Sequence, residues 1–367
     1  MPDPRMDKWA NALVNYSVTV EPGQTVAISG GVEGEPLLRA IYRAVIKAGG
    51  FPIMLPSCTG LLADLLVHGN DAQFEFISPV ERLVREQADV VITILADSNT
   101  KSLSGVDPAR FAAYRKIRQP LFQTYMKRDA DGSLDWTISL YPTNAHAQDA
   151  DMATADYEEF VLAACKLNHD DPVAAWKAQA AEQDRLIEWL KGKSEVHFTG
   201  PGTDLTLSVA GRTWINADGR KNFPDGEIFT GPVEDSANGH VRFSYPVIEG
   251  GREISDIRLK FENGKVVDAQ ASKGEAYLIE SLDTDPGARR IGEFAIGTNF
   301  DIQKFTRNIL FDEKIGGTVH MALGMGYPAT GNSNVSAIHW DMISDLRDGG
   351  QIEVDGQVMM KDGKLVV

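Results

Sequence analysis

Apolar and polar positions follow two different rhythms along this chain. In the first half, short apolar runs alternate with stretches of helical spacing. Val26-Ala-Ile-Ser29 reads as a buried strand ended by Gly30-Gly31. Glu35-Pro36 opens a helix, with proline where its missing N–H costs nothing. Leu37, Leu38, Ile41, Val45 and Ile46 line one helical face until Gly49-Gly50 stops it, and Phe51-Pro-Ile-Met-Leu55 is the next strand. A strand, a helix and a strand make one βαβ unit, which implies parallel pairing. The pattern continues with a helix near Val80–Gln87, the strand 90–95, a helix near Pro108–Ile117 and the strand 135–140. Helical stretches over Thr154–Leu167 and Pro172–Lys191 follow, the second with Trp176, Ala180, Ile187 and Leu190 on one face.

After Gly192 the rhythm changes to the two-residue period of half-buried strands, as in Leu205-Thr-Leu-Ser-Val209 and Ile257-Arg-Leu-Lys-Phe261. Asn263-Gly264, Asp355-Gly356 and Asp362-Gly363 are hairpin turn signals, and one helix is expected after Gly274. The reading is an α/β N-terminal domain with a mainly parallel sheet over 1–192. A β-rich α+β domain, antiparallel for the most part, occupies 193–367.

Composition narrows the function. The chain has 367 residues, 43% hydrophobic and 24% charged, the proportions of an ordinary globular protein. Its 36 Lys and Arg against 52 Asp and Glu give a net charge of −16, which repels phosphate backbones and argues against nucleic acid as a partner. Two cysteines, Cys58 and Cys165, read as reduced and buried rather than as a disulfide scaffold. The N-terminus has no apolar signal core and no stretch approaches the ~20 residues of a membrane span, so the expectation is a cytoplasmic protein without a membrane partner.

Two glycine clusters invite a nucleotide reading, and neither holds. Ser29-Gly-Gly-Val-Glu-Gly34 lacks the G-x-G-x-x-G order, and Glu33 and Glu35 would repel a phosphate, so it reads as a tight strand-to-helix turn. Gly324-Met-Gly326-Tyr-Pro-Ala329 fits G-x-G-x-x-A, but Thr-Gly-Asn-Ser-Asn cannot open the helix that would hold a pyrophosphate.

The histidines are more informative. His68, His146, His169, His197 and His240 have no suggestive company. In Ala337-Ile-His-Trp-Asp-Met-Ile343 the strand period puts His339 and Asp341 on one face, with Ile338, Trp340 and Met342 on the other. An imidazole and a carboxylate so paired suit either a metal or a buried hydrogen bond. His320 stands on a similar strand, opposite Val319, Met321 and Leu323. Glu293 begins a β run opposite Phe294 and Ile296, and Glu227 enters one after a turn. Four segments of one domain thus carry a carboxylate or imidazole against apolar neighbours, the pattern of a metal cluster in a β scaffold.

These motifs, in the order Pro224-Asp-Gly-Glu-Ile-Phe-Thr230, Gly287-Ala-Arg-Arg-Ile-Gly-Glu293, Leu310-Phe-Asp-Glu313, His320-Met-Ala-Leu-Gly324 and Asn334-x-Ser-x-x-His-x-Asp341, resemble the M29 metallopeptidases of the aminopeptidase T and aminopeptidase S type. The opening, Leu13-Val-Asn-Tyr-Ser followed by Val-Glu-Pro-Gly-Gln24, is similar as well. The resemblance implies a homodimeric exopeptidase with two divalent ions, Zn, Co or Mn, held by Glu227, Glu293, His320, His339 and Asp341. It implies a metal-bridging water as nucleophile and a peptide or other small-molecule substrate. Tyr327 matches the family's active-site tyrosine, and Glu275 or Glu313 could serve as general base. Arg289 and Arg290 either orient a ligand carboxylate or balance surface acids. The run Lys314–Val319 departs from the family, which has a shorter run starting Asn-Ala. A second reading needs only His320, His339 and Asp341, as in a mononuclear non-haem Fe(II) ring-cleaving dioxygenase of the same fold. A third is an inactive binding protein derived from a peptidase.

Overall fold

The computed structural model describes residues 3–249 and 252–367. Its Cα packing divides the chain into two compact units, Met1–Ala175 with Gly219–Pro224, and Trp176–Asp218 with Asp225–Val367.

In the first unit five parallel strands stand in the order Phe51–Ser57, Thr25–Gly31, Val90–Leu95, Asp135–Leu140, Asn222–Phe223. The expected βαβ start is present, with the helix Glu35–Lys47 between the first two strands of the chain. The glycines that invited a phosphate reading serve backbone approach. A Cβ on Gly31 would lie 2.1 Å from the Ala96 carbonyl oxygen, so only glycine lets the strand end pass its neighbour. The helix expected to end near Ile117 runs from Pro108 to Ala130 through Pro120, because Leu121 and Tyr125, one turn apart, are both buried. Cys165 is buried as expected, but Cys58 is exposed, since the strand Phe51–Ser57 lies at the sheet edge.

Among the described residues the second unit holds two large antiparallel sheets and a two-stranded one formed by Val247–Glu249 and Arg252–Ile254. The larger has eight strands and the smaller five, in the order His339–Asp345, Thr318–Gly324, Ile291–Gly297, Glu227–Thr230, Ile215–Ala217. One apolar cluster joins them, drawing Phe198, Leu205, Val241 and Phe261 from the larger sheet and Phe294, Val319, Met321, Trp340 and Met342 from the smaller. The helix Pro172–Leu190, expected to close the first domain, contributes Leu186 and Leu190 to this core. All three hairpin signals are realised with both residues at positive φ, as at Asn263 and Gly264 (50° and 76°). The helix after Gly274 spans Glu275–Leu282. Among the described residues no helix is long and apolar enough to cross a membrane.

Candidate metal centre

The five-stranded sheet turns one face into the apolar core, and its other face gathers the polar groups. Along the two central strands that polar face reads Glu293, Ala295, Gly297 and His320, Ala322, Gly324. Each strand thus carries one functional side chain and otherwise residues with little or no side chain. The register sets these against their neighbours. Asp341 and Glu293 both pair with Ala322, His339 pairs with Gly324, His320 with Ala295, and Glu227 with Gly297. The small residues leave room over the sheet into which the larger side chains converge. Gly324 has a second duty: its φ is 102°, and a Cβ there would lie 2.2 Å from the Ile338 carbonyl oxygen.

All five residues expected as ligands come together. His320 Nε2 lies 3.6 Å from Glu227 Oε2 and 3.5 Å from Glu293 Oε1. His339 Nε2 lies 3.2 Å from Glu293 Oε2 and 3.7 Å from Asp341 Oδ1. Three overlapping sets each bring their donor atoms within 4.8 Å of one another: Glu227, Glu293 and His320; Glu293, His339 and Asp341; Glu313, His320 and Asp341.

Of the two candidate bases, Glu313 joins the cluster and Glu275 does not. Glu313 follows the short helix Ile309–Asp312. Glu275 starts a helix on the exposed surface and accepts from the Ala271 amide of the preceding loop, a local structural role that sequence does not distinguish from a catalytic one. Arg289 pairs with Asp283, and Arg290 donates to the Glu234 carbonyl, so both brace the approach to the Glu293 strand and leave the cluster itself. The Tyr327 ring packs against His339 at 5.1 Å and Phe229 at 5.5 Å, at the rim of the cluster, with 40% of its surface exposed.

The donor set fits divalent cations. Each imidazole is tied by its far nitrogen: His320 Nδ1 lies 3.1 Å from the Glu313 carbonyl and His339 Nδ1 lies 2.8 Å from the Met325 carbonyl. A protonated Nδ1 donating there leaves Nε2 turned to the carboxylates, the arrangement usual for a ligating histidine. Glu227 Oε2 and Asp341 Oδ1 are buried without a hydrogen-bond partner, a costly condition that a bound cation would relieve. Burial pulls the His320 imidazole down, but Glu227 and Glu293 outweigh it and raise it to about 10. At His339 burial is likewise outweighed, by Glu293 and Asp341, and the imidazole rises to about 9. Burial also lifts the carboxyls of Glu227 and Asp341.

The motif Asn334-x-Ser-x-x-His gains a physical meaning. Asn334 Nδ2 donates to the Gly287 and Gly324 carbonyls, and the Ser336 hydroxyl donates to Asp285, whose carboxylate also accepts from the Ala337 amide. These bonds pin the segment leading into His339 against the approach to the Glu293 strand.

Sequence reasoning missed Lys314 and Asp225. Lys314 is fully buried and lies against Glu227, Glu313 and Asp225. The signal was a lone lysine between Asp312-Glu313 and the buried run Ile315–Leu323.

Comparisons with known proteins agree with this architecture. The family model described as thermophilic metalloprotease (M29) matches residues 2–365. The chain is 29% identical to aminopeptidase 2 of Geobacillus stearothermophilus over 98% of this chain and 95% of that protein. It is 26% identical to aminopeptidase T of Thermus thermophilus, over 99% and 98%. Among solved structures, wild-type AmpT from Thermus thermophilus superposes with a TM-score of 0.87 at 25% identity, covering 99% of both chains. The 2,5-dihydroxypyridine dioxygenase of Pseudomonas putida KT2440 shares the fold at TM-score 0.58 and 16% identity, over 100% of this chain and 99% of that one.

Proposed function

The chain belongs to the M29 metalloprotease family, and from that membership we propose that it is an aminopeptidase removing N-terminal residues from peptides at a two-cation centre. The observation that carries the reading is the convergence on one sheet face of Glu227, Glu293, His320, His339 and Asp341, with two buried carboxylate oxygens left without a hydrogen bond. Glu227, Glu293 and His320 would hold one ion and Glu293, His339 and Asp341 the other, Glu293 serving both. When bound, such ions lower the pKa of a shared water and polarise a carbonyl. The dioxygenase-like reading needs His320, His339 and Asp341 alone, and gives Glu227 and Glu293 no task. The homodimer rests on family resemblance.

The chain's own groups then have defined work. The Glu313 and Met325 carbonyls fix the imidazole tautomers. Partial burial, with Glu293 and Asp341 near, holds the Tyr327 phenol well above its usual range, so it stays a hydrogen-bond donor at neutral pH. We assign it to the oxyanion that forms as the scissile carbonyl becomes tetrahedral. A cavity of about 190 Å³ opens beside His339 and Asp341, walled by Phe305, Ile309, Trp340 and Ile343 together with Arg307 and Asp312, and would accept an N-terminal side chain.

The test is hydrolysis of leucyl peptides with free and N-acetylated termini by cation-loaded protein. Release of leucine from the free peptide alone supports the proposal, and equal cleavage of both overturns it. Tyr327→Phe should lower kcat about 10²-fold with cation content unchanged, measured by steady-state kinetics and elemental analysis.

Cation binding should also depend on pH with a definite sign. In the cation-free protein both imidazoles stay protonated below about 9, and ligation must displace both protons. Each ion displaces one imidazole proton, so its apparent affinity should rise from pH 6 to 8 by about one decade per pH unit, about two decades for loading both ions, and flatten above about 10. Calorimetry in buffers of different ionisation enthalpy reads the released protons, and pH-independent affinity would refute the linkage.

A further inference from the structure

Lys314 is the one cation of the cluster that the proposed chemistry does not use. Its side chain is 1% exposed, and its Nζ lies 2.6 Å from Glu227 Oε1, 2.5 Å from Glu313 Oε1 and 3.5 Å from Asp225 Oδ1. Glu227 and Glu313 belong to the two ligand sets that meet at His320, while Lys314 makes no ion pair with Glu293, His339 or Asp341. We infer that Lys314 is a built-in monovalent cation that makes the two metal positions unequal, so that the Glu293–His339–Asp341 position fills first and the position on the Glu227 and Glu313 side fills weakly and second. This inference rests on the two-cation reading above.

An ammonium donating to a carboxylate oxygen occupies a lone-pair direction that a metal ion would otherwise take. Glu227 keeps Oε2, which has no hydrogen-bond partner, for a ligand, but Oε1 is committed to Lys314. Glu313 Oε1 is committed to the same ammonium. A divalent ion arriving there also meets a fixed positive charge in a buried site, where repulsion is screened far less than in water. On the other side His339 is 20% and Asp341 16% exposed at the side chain, Asp341 Oδ1 has no hydrogen-bond partner, and among the described residues no lysine or arginine pairs with either, so once the imidazole proton is displaced, as it must be at both positions, an ion meets no fixed positive charge. The Lys314 ammonium offsets part of the negative charge of three neighbouring carboxylates, which keeps the Glu227 side formed while the second ion is absent.

The experiment is calorimetric titration of chelator-stripped full-length protein with Co(II), with visible absorption followed at each equivalent. Wild type should show two steps with dissociation constants about 100-fold apart, a separation of the size expected from one nearby charge. Lys314→Met should tighten the second step at least ten-fold and draw the two together, whereas Lys314→Arg, which keeps the charge, should keep them apart. If the lysine only props the fold, Lys314→Met should weaken both steps instead, and that result overturns the inference. Two equal tight steps in wild type overturn it whether or not either variant folds. A single step of one ion per chain, or no binding, removes the two-cation reading and this inference with it. Stepwise loading that Lys314→Met leaves unchanged removes this inference alone.

Discussion

Replacing Glu293 by alanine is expected to empty both cation positions and to lower kcat/KM on a leucyl substrate by about 10³-fold or more. Glu293 belongs to two of the three ligand sets, and its two oxygens face different imidazoles, His320 at 3.5 Å and His339 at 3.2 Å. In the proposed two-cation centre, loss of this carboxylate would remove a donor from each ion. In that proposal the ions would supply several kcal/mol of transition-state stabilisation, and each ~1.4 kcal/mol is a factor of ten in rate. The fold should survive, because the strand Ile291–Gly297 keeps its ladder to the strands on both sides. Elemental analysis, circular dichroism and steady-state kinetics on one preparation check all three statements. Full cation content with activity within ten-fold of wild type would overturn the bridging role. Glu275→Ala, on the surface helix, should leave all three readouts unchanged.

Much of this site was legible because a strand's two-residue period is local information. His339-Trp340-Asp341 and His320-Met321 each show polar and apolar faces without reference to anything distant. So do the small alternate residues Ala295, Gly297, Ala322 and Gly324, although their meaning as empty space emerges only with the register. What sequence alone does not contain is convergence. Glu227 reaches Gly297 across 70 positions, and the strand carrying His320 stands between those of Glu293 and Asp341 through antiparallel pairings that no local pattern dictates. Glu275 and Glu313 show the same boundary from the other side. Both are acidic residues near apolar runs, and only the fold separates a surface residue bonded to its own loop from a member of the cluster. Lys314 was invisible for a related reason. A buried lysine is rare, and its stability depends on Glu227, Glu313 and Asp225 meeting it from two separate segments. The division into units is obscured differently: the helix Pro172–Leu190 reads as the close of the first domain, but its Leu186 and Leu190 belong to the core that follows it.

Phe294→Ala should carry the largest stability cost, although the residue is the immediate neighbour of Glu293. The two side chains leave the strand on opposite faces, so chemistry and support are separated by one position in sequence. Phe294 is fully buried beneath the site, with the rings of Phe198 and Trp214 each at 6.4 Å in edge-to-face arrangements. These three rings come from the five-stranded sheet, the eight-stranded sheet and the segment between them, so truncation opens a cavity where the layers meet. A buried phenylalanine truncated to alanine costs about 3–5 kcal/mol, against a total stability of about 5–15 kcal/mol. In a unit of this size that lowers Tm by roughly 6–20 °C, with an unchanged denaturant m-value if the unfolded state is unaffected. Because the metal-facing groups are untouched, saturating cation should restore about 2.7 kcal/mol at a hundred-fold excess over Kd, and the folded fraction should retain near-normal kcat. A loss below about 1 kcal/mol, or a variant that is stable yet binds no cation, would show that the apolar face does not support the polar one in this way. The Glu293 variant should give the opposite pattern, with stability near that of cation-free wild type, no gain from added cation and no activity. The two substitutions together therefore measure how far one strand keeps its supporting face and its reactive face independent.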